Sequence, residues 1–325
     1  MLVLHQEIEA GARADEMDTL IQAGQIAAAL QNLGWSVSSL ATGLDLAATL
    51  AAIRQSDPDC IFNLVESLAG DGRMIHFIPA LLPSADAPFT GSGSDAIYLS
   101  SHKLLAKNWM RLHGMATPAF FTLADTAGNS HHQWIVKSVW EHASFGLDDG
   151  CVVSSVSAAK ARIEECMQRH GGDWFAEQFI DGREFNISVL EQQGLPCILP
   201  IAEMTFVGYP QNKPKIVGYA AKWDEHAAEY NATRRVFPAL SADLRESLVQ
   251  TVERCWTSFG LKGYARVDIR LDAAAVPWVL EINANPCLTQ DAGYVAAARA
   301  AGMSYEQIID AILQAALNSG SRRHT

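Results

Sequence analysis

Arg266-Val-Asp268 and, thirteen residues on, Glu281-Ile-Asn283 read as two strands whose alternate residues face one site. Side chains on a strand alternate with period two, so Arg266 and Asp268 share a face, as do Glu281 and Asn283. The flanking Val267, Ile269, Leu280 and Ile282 are then expected to point the other way. Two carboxylates, an amide oxygen and a guanidinium make a poor hydrophobic core. They make a good cradle for Mg²⁺ bridged to phosphates, because this ion takes a few hard oxygen ligands from protein and the rest from substrate.

Phosphate also needs cations, and two lysines are placed to supply them. Lys103 opens a helix, where a cation opposes the helix dipole unless an anion also sits there. Lys137 closes the apolar strand Trp134-Ile-Val136 and precedes the small-residue loop Trp140–Gly146, whose amides could share an anion with the ammonium. Alone, each lysine reads as an ordinary surface residue; beside the acidic cluster the pair gains weight. Glu177 and Glu184 frame a turn at Asp181-Gly182. A carboxylate such as Glu184 can accept both hydroxyls of a ribose, and the free edge of a strand at Phe175–Ile180 can pair with an adenine; a plain β-turn with exposed acids is the other reading. The loose pattern Gly91-Ser-Gly93-Ser-Asp-Ala96 follows too short a strand and precedes a helix rather than a second strand. It is a structural turn, and no nicotinamide site is supported. His131 and His132 have no partners at metal spacing, and Cys287 has no histidine that marks it as a nucleophile, so a packing role is expected for it.

The elements that must position these groups follow from periodicity. Met1–His5, a helix at Ala14–Leu33, Trp35–Leu40, a helix at Leu44–Arg54 and Cys60–Val65 make a βαβαβ run, which implies a parallel sheet covered by helices. In the first helix Met17, Leu20, Ile21, Gly24 and Ala28 carry the helical spacing. A helix is expected at Ser101–His113, then short strands at Phe120–Leu123, Trp134–Lys137, Cys151–Val153, Phe175–Ile180 and Glu184–Leu190, with a helix near Ser157–His170. Beyond them lie a strand at Cys197–Ile201, a polar loop at Pro210–Tyr230, a helix at Ala242–Phe259, the two site strands, and closing helices at Ala292–Ala301 and Ser304–Leu317.

Composition narrows the partners. With 325 residues, 49% of them hydrophobic, the chain has material for two or three packed units. Its net charge of -12 gives no general attraction to nucleic acid or anionic lipid, so phosphate must be held by a local group of cations and amides. Six scattered cysteines without a CxxC pair argue against a zinc site or a disulfide framework and fit a reducing cytoplasm. Early acids at Glu7 and Glu9 do not suit a signal peptide, and no apolar run is long enough for a membrane span.

In order along the chain, Leu99-Ser-Ser-His-Lys103, Ile135-Val-Lys137, Glu177–Glu184, Gly263–Asp268, Glu281–Pro286 and Ala300–Tyr305 resemble the ATP-grasp ligases, most closely the D-alanine–D-alanine ligase family. The resemblance covers nearly the whole chain and is most specific in its C-terminal half. It implies an α/β protein of ATP-grasp fold: an N-terminal parallel α/β domain at 1–100, a central α+β lobe at 101–190, and a C-terminal lobe with the metal site at 191–325. By position it implies that Lys103 and Lys137 bind phosphates, Glu184 the ribose, and Phe179 and Leu280 the faces of the adenine. Ser144, Glu177, Ile180 and Lys222 complete the implied nucleotide site. Asp268, Glu281 and Asn283 would hold two Mg²⁺, with Mn²⁺ as an alternative, and Arg266 would steady the charge on a tetrahedral intermediate. Glu16 matches the glutamate that meets the first substrate. The implied reaction joins a carboxylate to an amine through an acylphosphate and uses ATP. Its partners are small molecules, and a homodimer is one assembly open to it.

The departures fall at the acceptor site. The loop after Lys137 has Ala143 where the family has serine, with Ser144 next to it. Lys222 is followed by Trp223 instead of tyrosine, Cys287 and Ala292 stand for glycine and serine, and Glu66-Ser67 replace His-Gly. They leave two rivals to a ligase of altered specificity. One is a true D-alanine–D-alanine ligase; the other is a nucleotide-binding scaffold without catalysis, against which the retained Arg266 argues.

Overall fold

The computed structural model describes residues 1–8, 14–125, 132–140, 144–148, 150–210, 213–219, 221 and 226–320, without the side chains of 14–16 and 320. Strands β1 (Leu2–Gln6), β2 (Ser38–Thr42) and β3 (Ile61–Asn63) form a parallel sheet in the order β2-β1-β3. Leu2, Val3 and Leu4 are all buried, as a strand covered on both faces requires. Helix α1 (Ala14–Asn32) lies on one face, and α2 (Leu46–Ser56) and α3 (Phe77–Leu81) lie on the other. The expected βαβαβ unit is therefore present. The buried side of α1 is not the one its large apolar residues suggest: Met17, Leu20 and Ile21 are exposed, and Ala23, Ile26, Ala29 and Leu30 are buried together with Thr19 and Gln22. In an alanine-rich helix the faces differ little in hydrophobicity, and two polar hydrogen bonds set the rotation. Gln6 Nε2 donates to Thr19 Oγ1 at 2.8 Å, and Gln22 Oε1 accepts from the amide of Leu288.

The glycine-rich turn at 90–93 is structural. Ser92 Oγ accepts from the amide of Lys262 at 3.0 Å, and a Cβ on Gly263 would meet the Gly91 nitrogen at 3.0 Å. Gly93 then leads into α4 (Ser94–Ser101). The backbone breaks at His102, whose Nδ1 accepts from the Leu105 amide at 3.3 Å and so starts a separate α5 (Lys103–Leu112).

Four short antiparallel strands follow: β4 (Phe120–Phe121), β5 (Trp134–Ser138), β6 (Val152–Val153) and, after α6 (Val156–His170), β7 (Trp174–Gln178). Their order is β4-β7-β5-β6, and α6 buries Ala159, Ile163 and Cys166 against Trp134, Val136 and Trp174. The third sheet contains β8 (Arg183–Gln192), β9 (Leu195–Ile198), β10 (Ala202–Phe206), β11 (Thr233–Val236), β12 (Tyr264–Leu271) and β13 (Pro277–Asn283). It runs β11-β10-β8-β12-β13, with β9 alongside β8. Among the described residues further helices are α7 (Ala228–Ala232), α8 (Ala242–Phe259), α9 (Gly293–Ala300) and α10 (Tyr305–Gly320). One face of this sheet, with Phe185, Ile187, Val267 and Ile269, packs on Leu248, Val252 and Trp256 of α8. The opposite face carries the polar side chains. Among the described residues no helix is long and apolar enough to cross a membrane.

Candidate functional site

Strand register builds the site in rows. Directly paired residues of antiparallel strands put their side chains on the same face. Arg266 pairs with Asn283, Asp268 pairs with Glu281 on one side and Asn186 on the other, and Arg270 pairs with Glu184. All seven line one cleft of about 660 Å³, together with Lys103, Lys137 and Phe179. Val267, Ile269 and Ile282 point into the core, as alternation requires. Leu280 does not, and this corrects the sequence reading of its direction. The register shifts after Asp268, so that Ile269 pairs with Val279 and Leu280 is the extra residue of a β-bulge. The bulge puts Leu280 beside Glu281 on the cleft wall.

Asp268 is held firmly. Its two oxygens accept from Arg266 Nε at 2.7 Å and Nη2 at 2.9 Å, and Asn186 Nδ2 adds a third bond at 2.9 Å. Burial alone would lower the Arg266 pKa, but Asp268 and Glu281 outweigh it and push it above the usual arginine value. Asn283 Oδ1 accepts from the Asn285 amide at 2.9 Å, which fixes the direction of the side chain. Among the described residues no three His, Cys, Asp or Glu converge on one point. Asp268, Glu281 and the amide oxygen of Asn283 are thus an incomplete shell. Such a donor set suits Mg²⁺ whose remaining ligands are phosphate and water oxygens, and it does not suit a resident metal.

The lysines are not the surface residues that each resembled in isolation. Lys103 is buried at the start of α5, where its amide donates to Val139 O at 3.1 Å. Glu177, 1% exposed, lies between Lys107 and Lys137, each with its ammonium 2.5 Å from a different carboxylate oxygen. Burial raises the Glu177 pKa, but the two ammoniums win and hold it below its usual range. For Lys137 burial is likewise outweighed, by Glu177 and then by Glu281 and Glu184, and its pKa rises. For fully buried Lys107 desolvation dominates and lowers the pKa.

Strand β7 lies inside its sheet and not at an edge: β4 pairs with Ala176 and Glu177 on one side, β5 runs along the other, and the Phe179 amide donates to Gln133 O at 2.8 Å. The Ile180 carbonyl is also taken, by Arg270 Nη1 at 2.9 Å. The cleft is bordered by the end of β7, at Glu177 and Gln178, and by the connection that follows, with Phe179 and Ile180. Glu184 is gripped by Arg270 rather than exposed. Ser144 (φ 63°) donates from Oγ to Val217 O at 2.7 Å, and the Tyr219 amide donates to Leu147 O at 3.2 Å. The described parts of the two loops therefore touch each other at the cleft. Lys222, Trp223 and Ala143 lie outside the described residues, as does the side chain of Glu16 in the first turn of α1.

At the other end the cleft is bordered by Asp18, Glu66, Ser67, Cys287 and Ala292. Cys287 Sγ donates to Asp18 Oδ2 at 3.1 Å. Burial, with Glu66 and Asp18 nearby, raises the thiol pKa, which fits a packing role and not a nucleophile. Sequence reasoning missed Asn186, Arg270 and Lys107. The signal was there: Asn186 and Arg270 lie two residues beyond Glu184 and Asp268 on the same strands, and Lys107 lies one helical turn after Lys103.

Comparison with known proteins agrees along the chain. The family described as "D-ala D-ala ligase C-terminus" matches residues 119–314. An uncharacterized protein of Sinorhizobium fredii is 30% identical over 303 residues, 90% of this chain and 87% of that one. A D-alanine–D-alanine ligase of Stutzerimonas stutzeri is 30% identical over 320 residues, 96% of this chain and 94% of its own. The crystal structure of the Bacillus anthracis D-alanine–D-alanine ligase complexed with ATP superposes with a TM-score of 0.75 over 99% of both chains, at 19% identity.

Proposed function

The chain belongs to the D-alanine–D-alanine ligase family, and on that premise we propose how its cleft joins a carboxylate to an amine. It is an ATP-dependent ligase of ATP-grasp fold and of the ADP-forming class. The terminal phosphoryl group of ATP passes to a carboxylate oxygen and ADP leaves. The nitrogen of the amine then attacks the acyl carbon, phosphate departs, an amide forms and the ammonium proton is released. Positioning and electrostatics carry such chemistry.

In this reading Lys103 and Lys137 neutralise phosphate charge from two sides of the cleft, and Glu177 holds Lys137 in place. Phe179, Ile180 and Leu280 offer surfaces for the adenine, Glu184 meets the ribose, and Ser144 fixes the loop beside the phosphates. Asp268, Glu281 and Asn283 would hold Mg²⁺, two ions being the expected number, and the metal would supply charge neutralisation at the phosphates. Arg266, fixed by Asp268, is placed to stabilise an anionic intermediate. The division at 100 and 190 belongs to the same proposal: the cleft lies where the three parts meet. The observation that carries it is the pairing of Arg266 with Asn283 and of Asp268 with Glu281 on one wall of a cleft that also contains Lys103 and Lys137.

The acceptor is proposed to be something other than D-alanine, because Ala292 and Cys287 take the positions where the family has serine and glycine. Phosphate release across pairwise mixtures of amino acids and small amines, with mass spectrometry of products, tests both statements. One strongly preferred pair with a condensed product is expected. No ADP above background from any pair would leave a nucleotide-binding protein without catalysis.

A further inference from the structure

Arg270 holds three pieces of the cleft wall with one guanidinium, and it is only 3% exposed. Nε and Nη2 donate to Glu184 Oε2 at 3.1 and 2.6 Å, Nη1 donates to Ile180 O at 2.9 Å, and Nη2 also reaches Lys215 O. Its Cζ lies 5.0 Å from the centre of the Phe179 ring. The two contacts of Arg270 with Glu184 both fall on Oε2, and Glu184 lines the cleft. Only a planar fork can serve carboxylate and carbonyls at once; an ammonium brings the charge without the fixed directions.

We propose that Arg270 is a positioning residue for nucleotide recognition. It fixes Glu184 to receive the ribose hydroxyls and ties the segment carrying Lys215 to the same wall. The proposal rests on the ATP reading above. A glutamate has several rotatable bonds, and fixing it before a ligand arrives removes its ordering cost from binding. The place suits the role: Arg270 pairs with Glu184 one two-residue step from the row of Asp268 and Glu281, about 7 Å along the strand. The phosphate end and the ribose end of one nucleotide can thus be read from a single strand. Because Nη2 bridges Glu184 and Lys215, a ligand that binds the held carboxylate also steadies the loop tied to it.

Calorimetry on the full chain with Mg²⁺ tests this, using ADP, 2′-deoxy-ADP and pyrophosphate against the wild type, Arg270→Lys and Arg270→Met. The wild type should prefer ADP over 2′-deoxy-ADP by at least about tenfold. Both variants should bring that preference below about threefold and bind ADP at least about tenfold more weakly, with pyrophosphate affinity changed by less than about twofold. A merely structural arginine would weaken all three ligands together. A variant that keeps the wild-type preference, or a wild type without one, overturns the proposal. A wild type that binds no ADP overturns the nucleotide reading itself. A measurement on the wild type alone stands whether or not the variants fold: hydrogen exchange of amides in 213–219 should slow with ADP and not with pyrophosphate. Equal exchange in both would sever the loop from Arg270.

Discussion

Glu177 is caught between desolvation, which favours its neutral form, and two ammoniums 2.5 Å away, which favour its charge. The ammoniums prevail, so its folded pKa lies below the ordinary 4.5. A carboxyl with a lowered folded pKa stabilises the protein above its unfolded pKa, and that contribution is lost as pH falls through the folded value. Glu177→Gln also leaves the buried Lys107 and the partly buried Lys137 without their shared counter-charge, so at neutral pH it should cost roughly 3–5 kcal/mol. The gap from wild type should narrow only below about pH 4.5, a window that urea denaturation from pH 3 to 8 can resolve. A gap that widened in acid would mean the carboxyl is protonated in the folded protein. The acids proposed to hold Mg²⁺ are expected to act on rate instead. Glu281→Gln and, separately, Asp268→Asn should each lower turnover by at least about 10³, roughly 4 kcal/mol, because each removes charge that holds Mg²⁺ against phosphate. Near-normal turnover of both at saturating ATP and Mg²⁺ would remove these residues from the site. Lys137→Ala should weaken ATP binding and Lys103→Ala should do the same or slow phosphoryl transfer. Unchanged affinity and turnover in both would leave the two lysines a purely structural role.

Helix α8 and the two site strands were legible because their patterns are strong: eighteen residues of amphipathic spacing in one case, and charge alternating with β-branched residues in the other. Strands β10 and β11 are not legible because Ala-Glu-Met-Thr-Phe is mostly half-exposed, Thr-Arg-Arg-Val is mostly exposed, and neither shows a clear alternation. Leu280 was misplaced because a bulge is a property of a pair of strands, and a single strand's period carries no trace of it. Burial of Lys103, Lys107 and Glu177 was equally hidden, since compensation between charges distant in sequence does not appear in hydropathy. One glycine shows how tightly the elements are set. Gly182 has φ 156°, and a Cβ there would lie 2.0 Å from Leu271 O. Gly182→Ala must push the β7–β8 turn off β12, with Glu184 two residues away. A loss of roughly 2–4 kcal/mol is expected, from steric strain and backbone strain together. Denaturant titration checks it, and a cost under about 1 kcal/mol would show that the turn yields easily.

At the scale of the molecule, a chain of net charge -12 has no general attraction for a polyanion, and its cleft lines lysines and arginines up with acids, so a phosphate there needs individual cations and a divalent metal to hold it. The N-terminal unit completes that cleft instead of standing apart. Gln22 and Gln25 of α1 accept from the backbone amides of Leu288 and Gln290, and Asp18 takes the Cys287 thiol. The end of the cleft proposed to take the acceptor is thus built from two distant parts of the chain, and the departures at Glu66, Ser67, Cys287 and Ala292 lie there. Ala292 has no hydroxyl to offer, and neither does Ala143, which lies outside the described residues. Glu66 and Asp18 add acid near Cys287, which favours a cationic amine over a second carboxylate. A substrate whose polar groups go unpaired loses roughly 1–3 kcal/mol for each. Two such losses lower the use of D-alanine by about 10²–10⁴-fold relative to an acceptor that fits. Kinetics with saturating ATP should therefore give another amino acid or amine a kcat/KM at least about a hundredfold above that of D-alanine. If D-alanyl-D-alanine formation were instead the fastest reaction of the panel, Ser144, backbone amides or water must replace the missing hydroxyls, and the altered pocket would be drift without consequence for specificity.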